Sequence, residues 1–141
     1  MLAFFIALIS GALMSLQGVF NTAVTEKTSI WVSASWVQFT ALITCLVFWL
    51  FTGRQNMLAL FSVEPKYMLL GGIMGAFITY TVIHSVQGLG PAKAVLLIVV
   101  SQLLIAYLIE LFGLFGVEKV AFELRKLLGM ALAIIGIVIF H

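Results

Sequence analysis

The sequence predicts an all-α integral membrane protein of five transmembrane helices, and three observations lead there. First, 64% of the 141 residues are hydrophobic and 9% are charged, against about 25% charged residues in a typical soluble domain. Second, apolar segments recur at the length that a bilayer demands, about 20 helical residues for about 30 Å of hydrocarbon. Third, runs such as Ala94-Val95-Leu96-Leu97-Ile98-Val99-Val100 lack the alternation that a lipid-facing strand barrel requires. With no water in the bilayer core, each segment must satisfy its own backbone, which leaves the helix.

Five segments meet the length, at residues 2–24, 30–52, 67–88, 91–112 and 121–140, within a single transmembrane domain over 1–141. The first looks like the core of a signal peptide. It lacks a positive n-region, however, and continues apolar to Ala23, so it is expected to remain as a span. Glu26-Lys27 separates it from the second span, and Gly53-Arg54-Gln55-Asn56 closes that one. Gly88-Leu89-Gly90-Pro91 divides the third span from the fourth, and the stretch from Gly113 to Lys126 divides the fourth from the fifth. Pro65 and Pro91 fall at or just before helix starts, where a missing N–H costs nothing.

Lys and Arg in alternate loops set the orientation. Arg54, Lys66, Lys119, Arg125 and Lys126 fall on the N-terminal side, and Lys27 and Lys93 on the other. That bias favours a cytoplasmic N-terminus and an outside His141, and its modest size leaves dual topology open. Trp31 and Trp49 sit near opposite ends of the second span, as interface anchors do.

Several function classes have no footprint. The net charge of +2 is spread between apolar runs and forms no basic face, so nucleic acid is not an expected partner. Cys45 is the sole cysteine; it supports neither a disulfide framework nor a metal site and reads as a small packing residue. No Ser-His-Asp order, HExxH spacing or phosphate loop occurs. Neither an enzyme, a metal site nor a cofactor is expected.

Polar side chains inside the membrane are costly unless partnered, which makes them the first functional candidates. Counted from the span midpoints at about 1.5 Å per residue, Gln17, Gln38, Tyr80, Ser101 and Gln102 lie within roughly 6 Å of the midplane. Four helices thus offer neutral hydrogen-bonding groups at one depth. Asn21 follows Gln17 by four residues and shares its face, as Ser35 and Gln38 share one with Trp31, while Trp36 points elsewhere. Gln17, Asn21, Gln38, Ser101 and Gln102, with Trp36 and Tyr80 as aromatic walls, form a candidate substrate-binding set. The alternative is interhelical glue at about 0.6 kcal/mol per bond.

His84 is the membrane-embedded group whose ordinary titration falls near neutrality, so it is a proton-coupling candidate; a structural histidine held by Gln87 or a carbonyl is the other reading. Glu110, three residues before Gly113, is a second candidate, or the partner of a cation at that interface. No carboxylate falls near the midplane, which suits a neutral, zwitterionic or lipid-like substrate. Gly71 and Gly75 form a GxxxG pair, and Gly129, Ala133 and Gly136 recur at helical spacing. Both sets permit close helix packing, within the chain or in a dimer contact.

The stretches SGALMSLQGVFNTAV, GLGPAKAVLLIVVSQLLIAYLIELFGLFG and KLLGMALAIIGIVIF resemble the YdcZ-like inner-membrane exporter family of the drug/metabolite transporter superfamily, over essentially the whole chain. Larger members of that superfamily carry ten spans as two inverted five-span halves, so the resemblance implies one half-repeat in a bacterial cytoplasmic membrane. It also implies an antiparallel dimer, with itself or with an oppositely oriented paralogue, because transporter sites sit between inverted repeats. Where relatives carry Gly-Gln and an Asp in the fourth span, this chain has Ser101-Gln102 and Glu110. The implied function is export or exchange of a small organic metabolite or drug-like solute. Two alternatives stand beside it, a non-transporting accessory membrane protein and a flippase subunit for a lipid-linked metabolite.

Overall fold

The computed structural model describes residues 1–139 and is all-helical across them. His141, expected on the outer face, lies outside the described residues, as does the last residue of the expected fifth span. Five α-helices follow in order: α1 (Leu2–Lys27), α2 (Ile30–Phe51), α3 (Gly71–Leu89), α4 (Pro91–Phe112) and α5 (Leu124–Ile139). Short 3-10 turns at Met57–Ser62 and Lys66–Leu70 precede α3, and another at Leu114–Gly116 follows α4. Among the described residues, four helical segments are long and apolar enough to cross a membrane: Leu2–Lys27, Ile30–Phe51, Lys66–Leu89 and Pro91–Phe112.

Local chemistry explains the helix ends. The Ser29 hydroxyl caps α2 by accepting the Val32 N–H at 3.3 Å. Pro91 opens α4, where its fixed φ suits the first turn. Gly113 ends α4 at φ 64°, with its N–H on the Glu110 carbonyl at 3.3 Å. A Cβ there would also meet the Lys119 Cβ at 3.2 Å, so both the left-handed conformation and the space favour glycine. The helix α5 begins at Leu124 rather than in the apolar stretch before it. The preceding residues are held otherwise, the Val120 N–H on the Glu110 carbonyl at 3.0 Å and the Glu123 N–H on the Tyr107 hydroxyl at 3.1 Å. At 16 residues α5 is about 24 Å long.

The chain forms two compact units, the first from Met1 to Gly88 and the second from Leu89 on. In the first, α1 and α2 form an antiparallel pair joined by the two-residue connection Thr28-Ser29. They approach closely because small residues meet: Gly18, Ser33 and Ala34 are all buried. The Ser33 hydroxyl donates to the Asn21 carbonyl at 2.9 Å. The third helix lays Val82 and Val86 over Gly18, 3.5 and 3.8 Å from where its Cβ would stand. In the second unit α4 packs on α5, with Tyr107 and Met130 buried.

Large apolar side chains are exposed along every helix, among them Phe4, Phe20, Phe48, Phe77, Leu104 and Leu132. Water would not tolerate that surface and hydrocarbon favours it, so the helices belong in a bilayer.

Candidate binding groove

One helical turn separates Gln17 from Asn21 on α1, so both side chains leave the same face. The face borders α2, where Trp36, Thr40 and Thr44 follow the same four-residue step. Between the two helices lies a cavity of about 710 Å³ lined by these five residues, by Leu13, Phe20 and Cys45, and by further apolar side chains, with no charged residue among them. All of the lining comes from α1 and α2.

The polar groups in the groove differ in what they have left to offer. The Thr40 hydroxyl donates to the Trp36 and Val37 carbonyls at 3.0 and 3.1 Å, and Thr44 donates to the Thr40 carbonyl at 2.8 Å. Their protons are committed to their own helix. Gln17 is exposed, and its carboxamide forms no hydrogen bond among the described residues. Asn21 is 7% exposed, and it is the main-chain carbonyl of this residue that accepts Ser33 and, at 2.8 Å, the Thr25 hydroxyl. Its carboxamide likewise has no partner among the described residues. No sealed side-chain nitrogen or oxygen lacks a partner among the described residues, so the Asn21 amide keeps access to the groove that it lines.

Other candidates form a second group on the α2–α3 side. The Gln38 amide donates to the Thr79 hydroxyl at 3.5 Å and lies 3.4 Å from where a Cβ on Gly75 would be. Trp31 stacks on Tyr80 at 5.0 Å between ring centroids, and Tyr80 on His84 at 6.2 Å. His84 is exposed and makes no hydrogen bond to Gln87 among the described residues. Thus Gln17, Asn21 and Trp36 share one groove, while Gln38 turns to Thr79 of α3 and Tyr80, on α3, faces Trp31 of α2.

Ser101 and Gln102 are exposed on α4, in the second unit. There Glu110 is paired with the Lys126 ammonium at 3.6 Å, which also lies 3.8 Å from Glu123 and 5.5 Å from the Tyr107 ring centroid. A smaller cavity of about 360 Å³ is lined by Tyr107, Glu110, Lys126 and Gly129. A Cβ on Gly71, Gly129 or Gly136 would meet nothing within 4 Å.

Most of the groove lining escapes the sequence reading, its two threonines included. Phe20, Thr40 and Thr44 line the groove, and the signal for the threonines is their four-residue step from Trp36. Cys45, read as a packing residue, is exposed and lines the groove. Its small size and apolar neighbours hide that position in the sequence.

No curated protein and no solved structure matches the chain. The sequence profile of the family described as "Putative inner membrane exporter, YdcZ" matches residues 2–139. With multispan hydrophobic helices and that match over nearly its whole length, the chain belongs to the YdcZ family of inner-membrane exporters.

Proposed function

We propose that the chain is one half of a transporter that exports or exchanges a small uncharged or zwitterionic organic solute, working as an antiparallel pair of five-span protomers. The observation that carries this reading is the α1–α2 groove, where two carboxamides without partners among the described residues face an uncharged, largely apolar lining. A bundle using Gln17 and Asn21 only as glue would pair them across helices. The family description supplies the transport class.

In this reading α5 is the fifth span and the chain is one inverted-repeat half. Its partner is a second copy or an oppositely oriented paralogue, since such sites form between repeats. The open space at Gly129 and Gly136, with Ala133 between them, supports α5 as the dimer contact. Gln38 and Tyr80 in the first unit, and Ser101 and Gln102 in the second, are further substrate-binding candidates, His84 carries proton coupling and Glu110 is the second coupling candidate. The N-terminus is cytoplasmic in the favoured orientation.

The test is efflux from proteoliposomes preloaded with a panel of labelled neutral and zwitterionic metabolites, measured against protein-free vesicles. Accelerated efflux of a panel member supports the reading. A folded, dimeric protein that accelerates none of them is an accessory subunit instead.

A lipid-linked substrate is a second reading, favoured by the apolar lining that α1 and α2 contribute along the groove. Protein-dependent translocation of a fluorescent lipid-linked sugar, scored by dithionite bleaching, distinguishes it from solute efflux.

A further inference from the structure

We infer that the α1–α2 groove recognises a ligand with a compact apolar body and one uncharged amide-like head, such as a carboxamide, lactam or urea. The inference rests on the groove being the substrate site, and it names the class of substrate. A carboxamide side chain offers one acceptor oxygen and two N–H donors. Gln17 and Asn21 present both kinds of group from one face of α1, and neither is committed elsewhere among the described residues.

Asn21 is decisive. It is 7% exposed, and an amide so little exposed and without a partner costs free energy. A ligand that supplies the missing bonds recovers that free energy.

An amide-like head supplies a donor and an acceptor together. An ionised carboxylate only accepts and an amidinium only donates, and each brings a charge into a groove with no charged lining residue. Desolvating that charge without a counter-ion is costly. Thr40 and Thr44 do not change this preference, because their protons are bonded within α2. Leu13, Phe20 and Trp36 supply the apolar walls, and about 710 Å³ falls among small-molecule pockets of about 300–1,000 Å³.

Trp36 makes the groove readable by fluorescence. The chain has 3 tryptophans, so Trp31→Phe with Trp49→Phe leaves Trp36 as the only reporter. The purified full chain in lipid vesicles is titrated with cyclohexanecarboxamide, cyclohexanecarboxylate and cyclohexanecarboxamidine, three probes of one shape and no interfering absorbance. Saturable change of Trp36 emission with the amide, and at least about tenfold weaker response to both ions, is expected. Gln17→Leu and Asn21→Leu each weaken the amide about tenfold, and Gln87→Leu, outside the groove, does not. Gln17→Glu keeps the shape, adds a counter-charge and shifts preference toward the amidine; it also serves if Asn21→Leu does not fold.

Equal response to the three probes, or no response up to the solubility of the amide, overturns the inference. So does quenching of Trp36 by brominated lipid chains that the amide does not relieve, which places acyl chains in the groove. A Trp36 signal that depends on protein-to-lipid ratio and not on the amide places a second copy there and overturns it equally. Efflux of some solute without amide binding defeats this inference and leaves the transporter reading standing; amide binding without efflux of any solute does the reverse.

Discussion

The Ser33 hydroxyl donates to the main-chain carbonyl of Asn21 at 2.9 Å, from one helix to the next, with Ser33 1% exposed. The bond fixes α1 against α2 through the backbone of Asn21, and so leaves the carboxamide of that residue to the groove. One position therefore serves packing with its main chain and recognition with its side chain.

Ser33→Ala tests the packing half. Removing the hydroxyl is expected to cost about 0.6–1.5 kcal/mol, since the carbonyl retains its other partners. Thermal unfolding in detergent measures it, and probe binding at the groove should weaken only as far as the helix pair loosens. A loss above about 3 kcal/mol would indicate a network larger than this bond.

Gly18 separates close packing from conformational need. A Cβ there would stand 3.5 Å from Val82 and 3.8 Å from Val86, which is ordinary contact. Gly18→Ala is expected to be neutral or to stabilise by up to about 1 kcal/mol, the usual helix preference for alanine. Gly18→Leu must displace the two valines and is expected to destabilise by about 1–3 kcal/mol. Unfolding midpoints of the two variants should move in opposite directions or at least differ clearly.

Composition and span length make the helical class legible, because bilayer thickness acts on sequence directly. The break at Gly90-Pro91 is likewise read from residues whose backbone restrictions are local. The start of α5 is not, because it depends on Tyr107 and Glu110 capturing Glu123 and Val120 from far along the chain. The site divides the same way. Gln17 and Asn21 share a face by helical spacing alone, but depth along the membrane normal carries no angular information. Gln38 therefore matches Gln17 in depth and still turns to Thr79 on α3. Trp36 pairs with the groove because α1 and α2 run antiparallel, a fact of tertiary packing.

Proton coupling, in the proposed reading, belongs to His84 rather than Glu110. Glu110 is paired with Lys126, and the two side chains are part-exposed, 44% and 38%; such pairs couple by about 1 kcal/mol or less. A double-mutant cycle with Glu110→Gln and Lys126→Gln is expected to show coupling of that size. His84→Gln should leave probe binding intact and flatten the pH dependence of flux, measured from about pH 5.5 to 8.5. An unchanged profile in His84→Gln, with wild-type flux clearly proton-driven, moves the coupling role to Glu110.

Antiparallel assembly is checked by single-cysteine labelling at Lys27 and Lys119, in a Cys45→Ala background, with an impermeant maleimide applied to sealed inverted and right-side-out vesicles. These two positions flank different spans and carry opposite-side expectations. In a dual-topology homodimer each position is expected to label in both vesicle types. One-sided labelling of each, in a protein that transports without any other chain, contradicts the antiparallel homodimer.

The most direct measurement for the central claim is efflux from proteoliposomes of the best-transported panel solute, compared between wild type and Gln17→Leu at equal, verified folded protein. Gln17 is exposed and its carboxamide has no partner among the described residues, so a merely structural role predicts little change. The transporter account expects protein-dependent efflux in wild type and a fall of about tenfold or more in Gln17→Leu, with unaltered unfolding temperature. Equal efflux from the two proteins, or none above empty vesicles from either, contradicts it.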